Sequence, residues 1–145
     1  MTYRKWICVL LALLLCLAAA GCARGDRPPV ELTVVPESVT PTGLTYRVRQ
    51  TAATSWEFGY DYTLEKREGD GWTAVPYAET AGEYAFNAVG LLTPENGDAK
   101  EFGADWSMLY GELVPGRYWI GKSFDPPHGS GLERITLYAE FEIAP

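Results

Sequence analysis

The sequence predicts an all-β domain, an antiparallel sandwich of about seven to nine short strands. Three segments alternate apolar and polar residues with a period of two, and clusters of glycine and proline separate them. No long segment shows the period of about 3.6 residues that marks an amphipathic helix. Strands with one apolar and one polar face favour two sheets packed face to face over a parallel sheet covered by helices. We assign this domain to residues 30–145.

The first two alternating segments predict two core strands. The segment "GLTYRVRQT" places Leu44, Tyr46 and Val48 on its apolar face. The segment "WEFGYDYTLEKRE" places five apolar residues on one face, namely Trp56, Phe58, Tyr60, Tyr62 and Leu64. Its other face carries Glu57, Gly59, Asp61, Thr63 and Glu65. Because side chains alternate across a strand, we expect the apolar set of each segment to be buried between the sheets.

A tight turn and a last strand complete the pattern. The segment "EGDGW" contains two glycines that can adopt positive φ. It predicts a hairpin from a strand ending near Glu68 to a short strand starting at Trp72. The segment "ERITLYAEFEI" then alternates again, with Ile135, Leu137, Ala139, Phe141 and Ile143 on its apolar face.

The N-terminal residues predict export. Arg4 and Lys5 precede the apolar run "WICVLLALLLCLAAAG", which is short for a membrane span of roughly 20 residues and is typical of a secretory signal. The small residues end at Cys22, and "LAAAGC" resembles the bacterial lipobox, in which the cysteine thiol receives a diacylglyceryl group and becomes the new N-terminus. We therefore assign residues 1–21 to a helical lipoprotein signal peptide and residues 22–29 to the lipidated N-terminus and linker. The alternative is an ordinary cleaved signal with a chance cysteine at the junction.

The other cysteines are poor lipidation sites, and the mature chain keeps none of them. Large residues, Ile7 and Leu15, precede Cys8 and Cys16, whereas signal peptidases prefer a small residue there. Cleavage before Cys22 would remove both, so neither a disulfide nor a thiolate metal site is expected.

The charge of the mature chain excludes some partners. Cleavage removes Arg4 and Lys5, which leaves 10 of the 12 basic residues against all 19 acidic ones and a formal charge of −9. Such an acidic domain is a poor nucleic-acid binder and is mildly repelled by anionic lipid headgroups. We therefore expect attachment to the membrane through covalent lipid and no nucleic-acid partner.

One loop contains residue types that catalysis uses. The segment "SFDPPHGSG" holds Asp125, the single histidine His128, and Ser130. A Ser-His-Asp triad brings its members from separate elements beside an oxyanion hole, and a zinc site needs three or four ligands, so one Pro/Gly loop supplies neither. The residues indicate a solvated loop, and we expect no enzymatic activity, no metal and no cofactor.

The segment "LVPGRY" predicts a structural corner. Its hydrophobic residue (Leu113), Pro-Gly turn (Pro115 and Gly116) and tyrosine (Tyr118) resemble the corner that leads into strand F of immunoglobulin-like and fibronectin-type domains. The tyrosine hydroxyl of such a corner bonds back to the upstream backbone. We expect the Tyr118 hydroxyl to do the same.

A longer set of motifs carries a family resemblance. The set consists of "YTLEK" (62–66), "GW" (71–72), "VP" (75–76), "DW" (105–106), "LYGEL" (109–113), "PGRY" (115–118), Lys122 and the terminal "AEFEI". It is similar to a bacterial Ig-like domain family common in lipoproteins of Gram-positive bacteria, over roughly residues 36–144. The resemblance implies an immunoglobulin-like sandwich and an exported location, and it carries no assigned chemistry or catalytic residue.

One outward-facing patch is a candidate binding face. If strand F lies between strands C and G, as in immunoglobulin-like sandwiches, Trp119 points outward, flanked by Gly59 and Asp61 on C and Tyr138 on G. Glycine beside a large aromatic leaves a shallow patch suited to stacking on a sugar ring or accepting a partner side chain. The alternative is that Trp119 covers the bare backbone of Gly59 and Gly121.

Lys122 conflicts with this alternation. It has the same parity as the inward Tyr118 and Ile120, so we expect either a bulge near Gly121 or an early end of the strand.

Two functions remain. The first is a non-catalytic module anchored by lipid to the extracytoplasmic face of the bacterial cell membrane, which binds an unknown protein, peptide or glycan or helps to assemble a larger surface complex. The alternative is an inhibitor of an exported protease or other hydrolase through the 125–131 loop, "DPPHGSG", which its two prolines stiffen.

Overall fold

The structure is a computed structural model that describes residues 27–82, 86, 89–95 and 97–145. The assigned signal peptide (1–21), its helix and Cys22 lie outside the described residues. Within the described part of the chain, no helix is long and apolar enough to cross a membrane.

The described residues form nine strands and two short 3-10 turns. The strands are β1 (Val30–Val34), β2 (Gly43–Gln50), β3 (Glu57–Phe58), β4 (Thr63–Glu68), β5 (Gly71–Ala74), β6 (Leu91–Leu92), β7 (Ala99–Asp105), β8 (Gly116–Phe124) and β9 (Ile135–Ile143). The turns span Pro36–Ser38 and Glu79–Ala81. One sheet has the order β1-β2-β7, a second has the order β5-β4-β8-β9, and β3 pairs with β6. Every pairing of these strands is antiparallel, so the predicted all-β antiparallel sandwich is confirmed.

Buried side chains of both larger sheets form one core. The predicted inward residues of β2 (Leu44, Tyr46 and Val48) are buried, whereas of the five predicted for β9 only Ala139, Phe141 and Ile143 are buried and Ile135 and Leu137 are partly buried against the core. Phe58 contacts Phe102 of β7 and Phe124 of β8, with ring centroids 5.2 and 5.3 Å apart. Because β7 and β8 belong to different sheets, Phe58 links the two layers. Burial of each such ring stabilises the fold by about 1.5–3 kcal/mol.

The hairpin and the corner form as expected. Residues of β4 and β5 pair from Glu65 opposite Ala74 to Glu68 opposite Gly71. At the corner before β8, Leu113 is buried, and Pro115 and Gly116 turn the chain into the strand. The Tyr118 hydroxyl donates a hydrogen bond of 2.7 Å to the carbonyl of Val114. This bond returns to the backbone four residues upstream, as expected for a tyrosine corner.

The prediction that Tyr60 is buried is wrong. The Tyr60 side chain is 44% exposed, although Phe58 before it and Tyr62 after it are buried. The chain leaves strand geometry between the end of β3 at Phe58 and the start of β4 at Thr63. Strict alternation holds only along a continuous strand, so the break turns Tyr60 outward.

The prediction of a bulge or early strand end at Gly121 is also wrong. β8 pairs with β9 without interruption from Gly116 opposite Ile143 to Phe124 opposite Ile135. Lys122 therefore keeps the inward parity of Ile120, and its side chain is 1% exposed. A lysine occupies a core position of the sheet.

Candidate functional site

One face of the four-stranded sheet β5-β4-β8-β9 points away from the core, and we call it the outer face. Regular alternation along β8 sends Tyr118, Ile120 and Lys122 inward, so the residues between them point outward. With the register of the neighbouring strands, the outer face comprises Thr63, Glu65 and Arg67 of β4, Trp72 and Ala74 of β5, Arg117, Trp119, Gly121 and Ser123 of β8, and Thr136, Tyr138, Glu140 and Glu142 of β9.

Three aromatic residues form a continuous cluster on the outer face. The rings of Trp72 and Trp119 are stacked, with centroids 3.7 Å apart and planes inclined by 15°. Tyr138 lies on the other side, with its centroid 5.3 Å from that of Trp119. Stacked pairs of this kind contribute about 0.5–1.5 kcal/mol beyond the area they bury. We call Trp72, Trp119 and Tyr138 the aromatic cluster.

Charged groups surround the aromatic cluster. The Arg67 guanidinium carbon lies 5.4 Å from the centroid of the Trp72 ring, a cation-π contact. Arg117 donates a hydrogen bond of 2.6 Å to a carboxylate oxygen of Glu140, and both side chains are largely exposed. Such exposed ion pairs add at most about 1 kcal/mol to stability, so they matter chiefly as a polar border to the cluster.

The prediction that Gly59 and Asp61 flank Trp119 is wrong. The residues opposite Trp119 are Glu65 on β4 and Glu140 on β9. The glycine covered by an aromatic ring is Gly121, where an added Cβ atom would lie 2.9 Å from Tyr138 Cε1. Of the expected neighbours, only Tyr138 therefore lies beside Trp119, and it is Tyr138 that covers glycine backbone.

Gly59 and Asp61 instead hold Lys122. The Lys122 ammonium donates hydrogen bonds of 2.6 Å to the backbone carbonyls of both residues. It also lies 5.1 Å from the centroid of the Tyr46 ring and 5.6 Å from that of Phe58. Burial lowers the pKa of Lys122 from 10.5 to about 8, although the Asp61 charge opposes the shift.

A pocket opens beside the aromatic cluster. It has a volume of about 350 Å³, and we call it the Tyr138 pocket. Its lining includes Asp61, Thr63, Tyr77, Ser123, Thr136 and Tyr138. The hydroxyls of Ser123 and Thr136 lie 3.0 Å apart and share a hydrogen bond. The pocket thus joins an exposed aromatic ring to several hydroxyl groups.

The 125–131 loop does not assemble a catalytic group. Arg134 donates hydrogen bonds of 2.6 and 2.8 Å to the two carboxylate oxygens of Asp125 and lowers the pKa of that carboxyl. His128 is exposed, and the Ser130 hydroxyl accepts a bond from the Leu132 amide. No three His, Cys, Asp or Glu side chains among the described residues are grouped to hold a metal ion.

Sequence reasoning missed Trp72 and the hydroxyl groups of the Tyr138 pocket. The sequence could have placed Trp72 on the outer face, because the tight turn after Glu68 sets Trp72 opposite Arg67, a residue of that face. No comparable signal brings Thr63, Ser123 and Thr136 together, because their proximity depends on the register of three strands.

Comparison with known proteins identifies the family. No curated protein matches the chain. A family model described as a bacterial Ig-like domain matches residues 26–142, which is most of the chain. The protein therefore belongs to the bacterial Ig-like domain family.

Proposed function

We propose that this protein is a non-catalytic binding module, anchored by lipid at Cys22 to the extracytoplasmic face of the bacterial cell membrane. Its binding surface is the aromatic cluster on the outer face of the four-stranded sheet. Membership of a family of Ig-like modules favours binding over catalysis. The lipobox-like sequence before Cys22 supports the anchor.

The stacked pair of Trp72 and Trp119 is the observation that carries the proposal. Trp, Tyr and Arg are the residue types that most often dominate binding energy at interfaces, usually inside a polar border. The cluster has this composition, with Arg67 at one end and the Arg117–Glu140 ion pair beside it. Because the rings are already stacked in the free chain, binding of a partner costs these side chains little conformational entropy.

The alternative role, covering glycine backbone, accounts for only part of the cluster. It explains Tyr138, which lies over Gly121. It does not explain Trp119, whose cross-strand neighbours are Glu65 and Glu140, or the stacking of Trp119 on Trp72.

The linker restricts where the partner lies. Residues 23–29 number seven and reach roughly 24 Å when fully extended at about 3.4 Å each. A partner bound to the aromatic cluster is therefore close to the membrane.

An affinity capture with matched variants tests the proposal. The full chain, purified in detergent, serves as bait for solubilised cell envelope of the producing bacterium. We expect the wild type and Met108→Ala, which changes an exposed apolar side chain away from the cluster, to retain the same partner. Trp119→Ala should reduce retention by about tenfold or more, as expected for a residue at the centre of an interface. Equal retention by a correctly folded Trp119→Ala variant would contradict the proposal.

A second candidate function is the inhibition of an exported hydrolase. The two hydrogen bonds between Arg134 and Asp125 brace the 125–131 loop at its base, and residues 128–134 are exposed. A braced, exposed loop suits insertion into an enzyme cleft. The same capture distinguishes the two candidates, because retention of a hydrolase that is lost in His128→Ala, at an exposed residue of the loop, and kept in Trp119→Ala favours the inhibitor.

A further inference from the structure

The Tyr138 pocket has a defined arrangement of side chains. In the strand register, Thr63, Gly121 and Tyr138 lie in one row across the sheet, and Ser123 and Thr136 lie in the next. Tyr138 leans over Gly121, where a Cβ atom would also lie 2.5 Å from the Thr63 hydroxyl oxygen. The absence of a side chain at Gly121 therefore lets the ring and the hydroxyl approach each other. This close approach forms one side of the pocket.

The polar groups of the pocket suit a ligand with several hydroxyls. A hydroxyl group has one donor and two acceptor positions. The pair Ser123–Thr136 uses one donor between its two members, which leaves a second donor and further acceptors for a ligand. Thr63 adds another hydroxyl at the opposite side of Gly121. A polyol can satisfy such a set, since each of its hydroxyls also both donates and accepts.

The aromatic wall suits the apolar face of a sugar ring. Tyr138 is 46% exposed, and Tyr77, which also lines the pocket, is 61% exposed. The axial C–H bonds of a pyranose carry partial positive charge and pack against the negative face of an aromatic ring. Stacking covers one face of Trp72 and one face of Trp119, and neither ring lines the pocket, so Tyr138 and Tyr77 are better placed for this contact.

Charge selects among sugars. The only charged side chain that lines the Tyr138 pocket among the described residues is Asp61. An anionic sugar would be repelled by this carboxylate and would find no cation there. The volume of about 350 Å³ lies at the lower end of the range of small-ligand pockets, about 300–1,000 Å³.

We propose that the Tyr138 pocket binds an uncharged pyranose unit of a glycan. The inference deepens the proposed function and rests on it, since the pocket shares Tyr138 with the aromatic cluster. It names the ligand class, a neutral glycan chain whose one ring stacks on Tyr138 while its hydroxyls bond to Thr136, Ser123 and Thr63.

Saturation-transfer-difference NMR on the full chain in detergent tests this inference, because the method detects weak binding by large particles. The neutral probes are cellotetraose, mannotetraose and chitotetraose, and the anionic probe is tetragalacturonate. We expect transfer to ring C–H protons of at least one neutral probe and none to tetragalacturonate. Absence of transfer to all three neutral probes, or equal transfer to tetragalacturonate, would overturn the inference.

Two variants and a matched control locate the binding. Tyr138→Ala and Thr136→Val should each weaken binding of the neutral probe by about fivefold or more, through loss of the ring contact and of a hydroxyl. Thr33→Val removes an exposed strand hydroxyl from the other sheet and should leave the affinity unchanged. Wild-type affinity in both pocket variants would also overturn the inference.

The outcomes separate this inference from the proposed function. Partner capture that depends on Trp119, together with no binding of neutral probes, would reject the sugar pocket and leave the binding module intact. Binding of a neutral probe that depends on Tyr138, without any capture dependent on Trp119, would support the pocket and reject the aromatic cluster as a partner-binding surface.

Discussion

At the level of single residues, Lys122 shows how the core accommodates an inward charge. Its ammonium is removed from water, which disfavours the charged form. Two backbone carbonyls and the faces of Tyr46 and Phe58 replace part of the lost hydration. They do not replace all of it, and the pKa of Lys122 falls to about 8.

The lowered pKa of Lys122 predicts that stability rises with pH above neutrality. Between about pH 8 and the unfolded pKa near 10.5, the unfolded chain binds more protons at this site than the folded chain, so raising the pH stabilises the fold. Using about 1.4 kcal/mol per pKa unit, the free energy of unfolding should increase by about 2 kcal/mol between roughly pH 7 and pH 9.5. Chemical denaturation at a series of pH values measures this.

Lysine variants isolate the source of this pH dependence. Lys122→Met should abolish the rise, because no titrating group remains at that core position. Lys100→Met, which removes an exposed lysine on β7, should preserve it. A wild-type stability that is flat or falls over this pH range would contradict the assignment, as would an unchanged rise in Lys122→Met.

At the level of elements, a side-chain hydrogen bond spans the corner before β8. The Tyr118 ring is buried against Phe141, with centroids 5.6 Å apart, and only its hydroxyl reaches the Val114 carbonyl. Tyr118→Phe keeps the ring and removes the hydroxyl. We expect the free energy of unfolding to fall by about 1 kcal/mol, the usual net value of one such bond.

A second tyrosine provides the control for the corner. Tyr60→Phe removes the hydroxyl of a side chain that is 44% exposed, so its stability should stay within about 0.5 kcal/mol of the wild type. Equal effects of Tyr118→Phe and Tyr60→Phe in urea denaturation would show that the corner bond contributes nothing.

The strands themselves were predictable because alternation is a local property. Leu44, Tyr46 and Val48 are buried as the sequence predicts, and so is Phe141. The wrong predictions concern residues whose positions depend on tertiary contacts. Tyr60 turns outward at the break between β3 and β4, and that break coincides with the carbonyls that bind Lys122. Nothing in the alternation alone reveals a lysine reaching across the core.

The candidate site was predictable only in part. Alternation along β8 correctly sends Trp119 outward, and Tyr138 lies beside it on β9 as expected. The predicted neighbours Gly59 and Asp61 were wrong, since Glu65 of β4 lies opposite Trp119. The register of β4 against β8 is fixed by long-range packing, which the local sequence does not reveal. The stack of Trp119 on Trp72 crosses β4, which lies between β5 and β8, so it requires both the strand order and the side-chain directions.

At the level of the whole molecule, the acidic charge disfavours attachment to an anionic membrane through the protein surface. The mature chain would carry a formal charge of −9, which disfavours contact with anionic lipid. The aromatic residues that could enter a lipid surface are mostly used in the core or stacked on one another. Attachment to the membrane is therefore expected to depend on acyl chains at Cys22, each buried CH₂ of which contributes about 0.8 kcal/mol.

The proposed lipid anchor predicts a specific fractionation pattern. Cys22→Ala should move the protein out of the membrane fraction or leave it as a precursor, because the substitution removes the thiol that receives the diacylglyceryl group. Cys16→Ala, which changes a cysteine inside the predicted signal peptide, should leave both the size and the membrane association unchanged. Globomycin, which blocks the lipoprotein signal peptidase, should cause a larger precursor of the wild type to accumulate. Membrane-bound Cys22→Ala protein of normal size would show that attachment does not require this cysteine, and the aromatic cluster on the sheet would then be the next surface to test for lipid contact.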